Sequence, residues 1–117
     1  MHVVVLDAGD LPARVPACDL VIDAAYGTGF RGTWSPPEVG ETPVLAVDIP
    51  SGVDGTTGEC RSGVLPATRT VTFVAPKPGL LFPPGSSYAG ALEVADIGLD
   101  ASIVRTHLVQ HADVSRW

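Results

Sequence analysis

The sequence predicts an α/β fold built on a mostly parallel sheet and short of helical cover. Three observations carry that reading. Short apolar, β-branched runs recur at His2 to Leu6, Leu20 to Asp23, Val44 to Asp48, Arg69 to Ala75 and Ala91 to Ala95. Two of them stop on a carboxylate followed by a turn, Asp23 before Gly27-Thr28-Gly29-Phe30-Arg31-Gly32 and Asp48 before Pro50-Ser51-Gly52. Open α/β sheets bind their ligands at such carboxyl ends of strands. The connections, by contrast, are broken by prolines and hold almost no convincing helix. A parallel sheet needs both faces covered, so partner chains supply the cover or the chain is a piece of a larger domain.

The elements follow in order. His2 to Leu6 (HVVVL) reads as a buried strand. Pro12 and Pro16 leave room only for a loop or a single turn before Leu20. Between the second and third strands, Ser35-Pro36-Pro37-Glu38 resembles a helix start, with a Ser cap and Pro in the first turn, but Gly40 and Pro43 end it at once. Arg69 to Ala75 alternates and is β-branched, a strand by both criteria. Pro76 to Gly85 is a loop with an apolar centre, and Ala91 to Ala95 a further strand. Beyond Ile103 the pattern allows a short strand near His107 to Val109 and a helix start at Ala112-Asp113.

Composition bounds the function. The 117 residues make one domain at most, and 45% hydrophobic residues with a mean hydropathy of +0.28 can build a core. Charged residues, at 17%, fall below the usual quarter, so much of the chain should be buried or docked. The net charge of −6 comes with no basic cluster, which argues against nucleic acid and anionic membrane as partners. Apolar runs are strand-sized and Met1-His2 leads straight into one, so neither a membrane helix nor a signal peptide is expected and the location is read as cytoplasmic. Cys18 and Cys60 fit no metal or redox spacing and read as buried or half-buried free thiols. The histidines His2, His107 and His111 show no catalytic or metal spacing, and no nucleophile elbow, Ser-His-Asp set or zinc motif is present.

The glycine segment Gly27 to Gly32 is literally G-x-G-x-x-G after a strand, with Asp48 at roughly the distance of a ribose-binding acid. Pro36 and Pro37 follow too soon for the long helix a dinucleotide fingerprint needs, and Asp23 stands where that fingerprint has an apolar residue. A phosphate- or nucleotide-contacting loop of another type fits better, its N–H groups forming an anion cradle and Arg31 adding charge. A plain structural turn is the bland alternative. Asp48 could likewise cap an Asx-type turn, yet two acids converge on one sheet edge in a chain with few charges. Asp54 to Gly58 lacks the acids of a calcium loop and reads as a tight turn. Lys77, the only lysine, is either a solvated loop residue or a ligand contact.

The segments LVIDAAYGTGFRG (Leu20 to Gly32), PVLAVDIPSGVDGTTGE (Pro43 to Glu59), TVTFVAPKPGLL (Thr70 to Leu81) and YAGALEVADIGLD (Tyr88 to Asp100) resemble, in this order, the NAD(P)H-hydrate epimerase family, or YjeF N-terminal domain. The resemblance implies a Rossmann-like three-layer α/β sandwich and a role in nicotinamide cofactor repair. That role is the interconversion of the R and S epimers of hydrated NADH and NADPH (NADHX and NADPHX), ahead of a dehydratase that accepts only S. Carried over by motif, it makes Asp23 and Ser51 ligands of a potassium ion. It makes Gly27, Thr28, Gly29, Phe30, Arg31, Gly32, Thr33 and Asp48 contacts to the hydrated cofactor, and Asp48 the catalytic group.

The family's GNNGGDG-type loop has no counterpart in this chain. Residues 1–102 are therefore read as the carboxyl-terminal portion of the domain, with little or no activity alone, and 103–117 as a tail or a junction to a following domain. A fused or partner dehydratase and a homo-oligomer are the partners implied. The rival readings are a non-catalytic nucleotide-binding or scaffold module derived from the same fold and an ordinary dinucleotide-dependent oxidoreductase.

Overall fold

The computed structural model describes residues 1–102 and 106–115. Its frame is a four-stranded sheet, β1 (Val21–Asp23), β2 (Val44–Val47), β3 (Arg69–Phe73) and β4 (Ala91–Ala95), in the order β1-β2-β3-β4. Every pairing is parallel, with Asp23 level with Ala46 and Val47 level with Val71. All strands thus end at one edge, as the sequence leads one to expect.

Burial alternates along the inner strands. Val44 and Ala46 of β2 and Thr70 and Thr72 of β3 are buried, while their neighbours are half-exposed. The covered face carries two small apolar clusters. Trp34, Val44 and Leu65 form one, with Tyr26 and Phe30 packed against it; Ile49, Leu80 and Ala89 form the other, with Leu92 beside them. Tyr26 stacks on Phe30 at 4.0 Å and meets Trp34 edge-on at 5.4 Å. The opposite face is open, and Ile22 is 61% exposed.

Among the described residues helices are as sparse as the prolines require: two 3₁₀ turns, Pro78–Leu80 and Gly85–Ser87, and one α-helical turn, α1 (His111–Val114). In the first of these turns Gly79 and Leu80 are buried, which accounts for the apolar centre of the Pro76 to Gly85 loop. The capping pair Gln110 and Asp113 sets α1, so the helix start read at Ala112-Asp113 lies inside it. No described helix is long and apolar enough to cross a membrane.

Four readings are corrected. His2 to Leu6 is not a buried strand: Val5 is 88% exposed, because the segment has no ladder partner among the described residues. Just beyond it, the Tyr26 hydroxyl donates to the Ala8 carbonyl at 3.2 Å and Leu11 packs against the Trp34 cluster. No helix starts at Ser35; Pro36 and Pro37 hold the chain extended, and Glu38 bridges to Arg14 instead. His107 to Val109 forms no strand and lies exposed. Cys18 is exposed and Cys60 half-buried, both as free thiols, so only Cys60 fits the buried or half-buried reading; burial pushes the Cys60 thiol above its usual pKa. Ile103, where the ambiguous carboxyl-terminal pattern begins, lies outside the described residues.

Candidate functional site

Each of the two strand-end acids reaches across to the next strand in the sheet. Asp23 closes β1 and is only 4% exposed. Its Oδ2 accepts the Ser51 N–H at 2.8 Å and its Oδ1 the Ser51 hydroxyl at 2.6 Å. The Ser51 oxygen in turn accepts the Tyr26 N–H at 2.9 Å and lies 3.3 Å from the Tyr26 carbonyl. The Asp-Ile-Pro-Ser-Gly turn after β2 is thereby locked onto the end of β1. Gly52 is needed in it because its φ is +97°.

Asp48 follows β2 directly, with φ at +71°, a backbone region that aspartate tolerates better than most side chains. Its N–H donates to the Val71 carbonyl at 2.8 Å, and its carboxylate turns toward β3. There Oδ1 accepts the Thr72 hydroxyl at 3.1 Å, the Phe73 N–H at 3.2 Å and the Lys77 ammonium. Burial pushes the Asp48 carboxyl upward. The hydrogen bonds from Lys77, Phe73 and Thr72 and the lysine's charge outweigh that push and hold it below the ordinary aspartate value. Lys77 is the partner of Asp48 that sequence reasoning left undecided. Its signal was being the only lysine, set in a proline-bounded loop just past a strand end.

The glycine segment folds beside these acids. Gly27, Thr28, Phe30, Arg31 and Gly32 line a shallow depression whose other wall includes Gly52, Asp54 and Arg61. Arg31 reaches Asp54 at 3.3 Å across it. Asp54 also accepts the Thr57 and Thr56 N–H groups, which hold its carboxyl below the usual range and make Asp54 to Gly58 the tight turn expected. Thr33 lies elsewhere, beside Tyr26, Trp34 and Leu11. Phe30 is partly buried against Tyr26, so packing already occupies its ring. Asp48 lines neither depression, but Gly55 links it to the first: a Cβ there would sit 3.1 Å from the Thr28 methyl and 3.7 Å from the Lys77 stem.

Comparison with known proteins places the chain in a family. The chain is 46% identical over 108 residues to the bifunctional NAD(P)H-hydrate repair enzyme Nnr of Moorella thermoacetica, covering 85% of this chain and 20% of that protein. It is 40% identical over 89 residues to the enzyme of the same name from Pyrobaculum aerophilum, covering 69% of this chain and 18% of that one. To the NAD(P)H-hydrate epimerase of Weissella koreensis it is 38% identical over 89 residues, covering 68% of this chain and 40% of the relative. The chain thus spans from about a fifth to two fifths of the length of these curated relatives. The profile of the YjeF-related protein N-terminus family matches residues 3–79, a stretch that holds both acids, the glycine segment, Ser51 and Lys77, and the chain belongs to that family.

Proposed function

We propose that this chain forms one wall of an NAD(P)H-hydrate epimerase site, acting on the R and S forms of hydrated NADH and NADPH. The observation that carries the reading is the meeting, at one sheet edge, of an ionised Asp48, a buried Asp23–Ser51 pair and a glycine-lined depression with an arginine on its rim. Gly27 and Gly29 support it further. Neither has a positive φ and a Cβ on either would meet nothing, so the fold itself does not demand glycine there, whereas close approach of a ligand to the backbone would.

The carbon that epimerises carries a hydroxyl beside a ring nitrogen. As the C–O bond breaks, the oxygen leaves with the electron pair and is protonated to water, while the nitrogen lone pair forms a C=N⁺ bond. Water then adds to either face and returns a proton to solvent, so nothing is consumed. Asp48 supplies the fixed negative charge that stabilises the flat cation.

The oxygens around Asp23 and Ser51 are of the kind that hold a potassium ion. A buried carboxylate there meets only neutral donors among the described residues, and every nearby acceptor (Asp23, the Ser51 hydroxyl, the Tyr26 carbonyl) is a hard oxygen. No cluster of three or more His, Cys, Asp or Glu occurs among the described residues, and a single carboxylate suits a singly charged ion. A bound ion would supply the charge that Asp23 lacks. Replacing choline chloride by potassium chloride at constant ionic strength is expected to raise the unfolding temperature, by about 4 °C for each kcal/mol of linkage in a domain this size. Asp23→Asn should abolish that rise; an equal rise in the variant would remove Asp23 from the ion's site.

The free thiols accord with a cytoplasmic location. The bifunctional relatives favour a dehydratase on the same polypeptide as the partner, and the open sheet face favours burial against it or against a second copy. The function is tested in a complete enzyme that contains this chain, by offering R-NADPHX and intact NADPH together and following epimers by chromatography. Preferential binding of R-NADPHX with conversion to S is the expected result. Binding without conversion would favour the non-catalytic nucleotide-binding module, and equal affinity for NADPH would overturn the reading.

A further inference from the structure

We propose that Lys77 is the positioning residue of Asp48: it holds one carboxylate oxygen within the protein, leaves the other for the ligand, and commits Asp48 to act as a fixed charge and not as a proton carrier. The geometry is a closed triangle. The Lys77 ammonium donates to Asp48 Oδ1, to the Thr72 hydroxyl at 2.9 Å and to the Phe73 carbonyl at 2.8 Å. An ammonium has three protons, so none remains to be offered to a substrate. Thr72, fully buried, accepts from Lys77 and donates its own hydrogen bond to the same Oδ1. All the hydrogen bonds to the Asp48 carboxylate therefore fall on Oδ1, and among the described residues Oδ2 accepts none. The side chain is 25% exposed, so that second oxygen is not sealed away.

Two further observations set this apart from an incidental surface pair. Asp48 and Val74, at either end of the triangle, both have left-handed backbone, φ +71° and +68°. For a β-branched valine that is an outlier, and such strain persists where the surroundings over-determine it, often at functional sites. The stem of Lys77 also passes Gly55 opposite the Thr28 methyl, so the triangle adjoins the glycine-lined depression.

Lys77 is the charged group that acts on the Asp48 carboxylate. The other acid of the sheet edge, Asp23, is turned into its own bonds with Ser51. A carboxylate so held stays ionised across neutral pH and is a weak base, which favours charge stabilisation over proton transfer. That catalytic consequence rests on the epimerase reading; the positioning of Asp48 does not.

The experiment follows the Asp48 carboxyl carbon by NMR through an acid titration of this chain, in the native form and as Lys77→Met and Lys77→Arg. Asp48 should protonate at higher pH in Lys77→Met, with Lys77→Arg between the two, because a planar fork cannot aim three donors into the triangle. An unchanged titration in Lys77→Met would overturn the proposal. Should that variant not fold, the native chain decides: the Lys77 side-chain nitrogen shift should move at the pH where Asp48 protonates, and independent titration would overturn the pairing. In a complete enzyme that contains this chain, Lys77→Met should lower kcat/KM about ten- to a hundredfold at neutral pH and carry its acid limb upward, with KM little altered. No turnover in any version of that enzyme, alongside the expected carboxyl shifts, would reject the epimerase reading and leave the positioning intact.

Discussion

In a complete enzyme that contains this chain, Asp48→Asn is expected to cut epimerisation by about 10²- to 10³-fold while leaving the fold in place. Asparagine accepts the left-handed backbone required at φ +71° as readily as aspartate does. Its amide oxygen can still receive the Thr72 hydroxyl, the Phe73 N–H and Lys77, so the replacement removes charge and little else. Lys77 is 23% exposed and can keep its bonds to Thr72 and to the Phe73 carbonyl. Stability against pH gives a second readout with a definite sign. The Asp48 carboxyl is depressed in the folded chain, so its contribution is present above the ordinary aspartate value of 3.8 and is lost as pH falls through the lower folded-state value. The variant should lack that part of the acid transition. Near-normal turnover in Asp48→Asn would take Asp48 out of the chemistry.

The strands that form β1 to β4 were legible because their signals are local: short apolar or β-branched runs, and a carboxylate or proline that stops each one. His2 to Leu6 carries the same local signal and failed, because a strand also needs a ladder partner and pairing is not written in the segment itself. Ser35-Pro36-Pro37 misled in the opposite way. The cap residue is right for a helix, but the second proline's neighbours are pushed to extended backbone. At the site, Asp23 and Asp48 could be read from the turns that follow the strands, whereas Ser51 came only with the family resemblance. What could not be read is which neighbour each acid bonds. Asp23 reaches 28 positions forward to Ser51, and Asp48 reaches 29 forward to Lys77. Those pairings depend on strand order, and once β1, β2 and β3 lie side by side they follow from it.

Gly52→Ala should destabilise the chain by roughly 3 kcal/mol or more and disturb the site with it. Two costs combine at this position. At φ +97° any side chain strains the backbone, and a Cβ there would sit 2.2 Å from the Gly63 carbonyl oxygen and 2.9 Å from the Trp34 indole nitrogen. The oxygen belongs to backbone and cannot swing aside. The indole nitrogen is already buried without a partner, so it has no slack hydrogen bond to trade. Relief has to come from moving the turn, which displaces the adjoining, fully buried Ser51 from Asp23 and Tyr26. Gly40 separates the two costs, because it has φ +60° and nothing within 4 Å of a Cβ. Gly40→Ala should therefore lose only about 1 kcal/mol, the left-handed penalty by itself. Urea titrations of both variants measure the difference. Losses of equal size would mean that the contact with Gly63 yields freely, and that the turn holding Ser51 on Asp23 is softer than its packing implies.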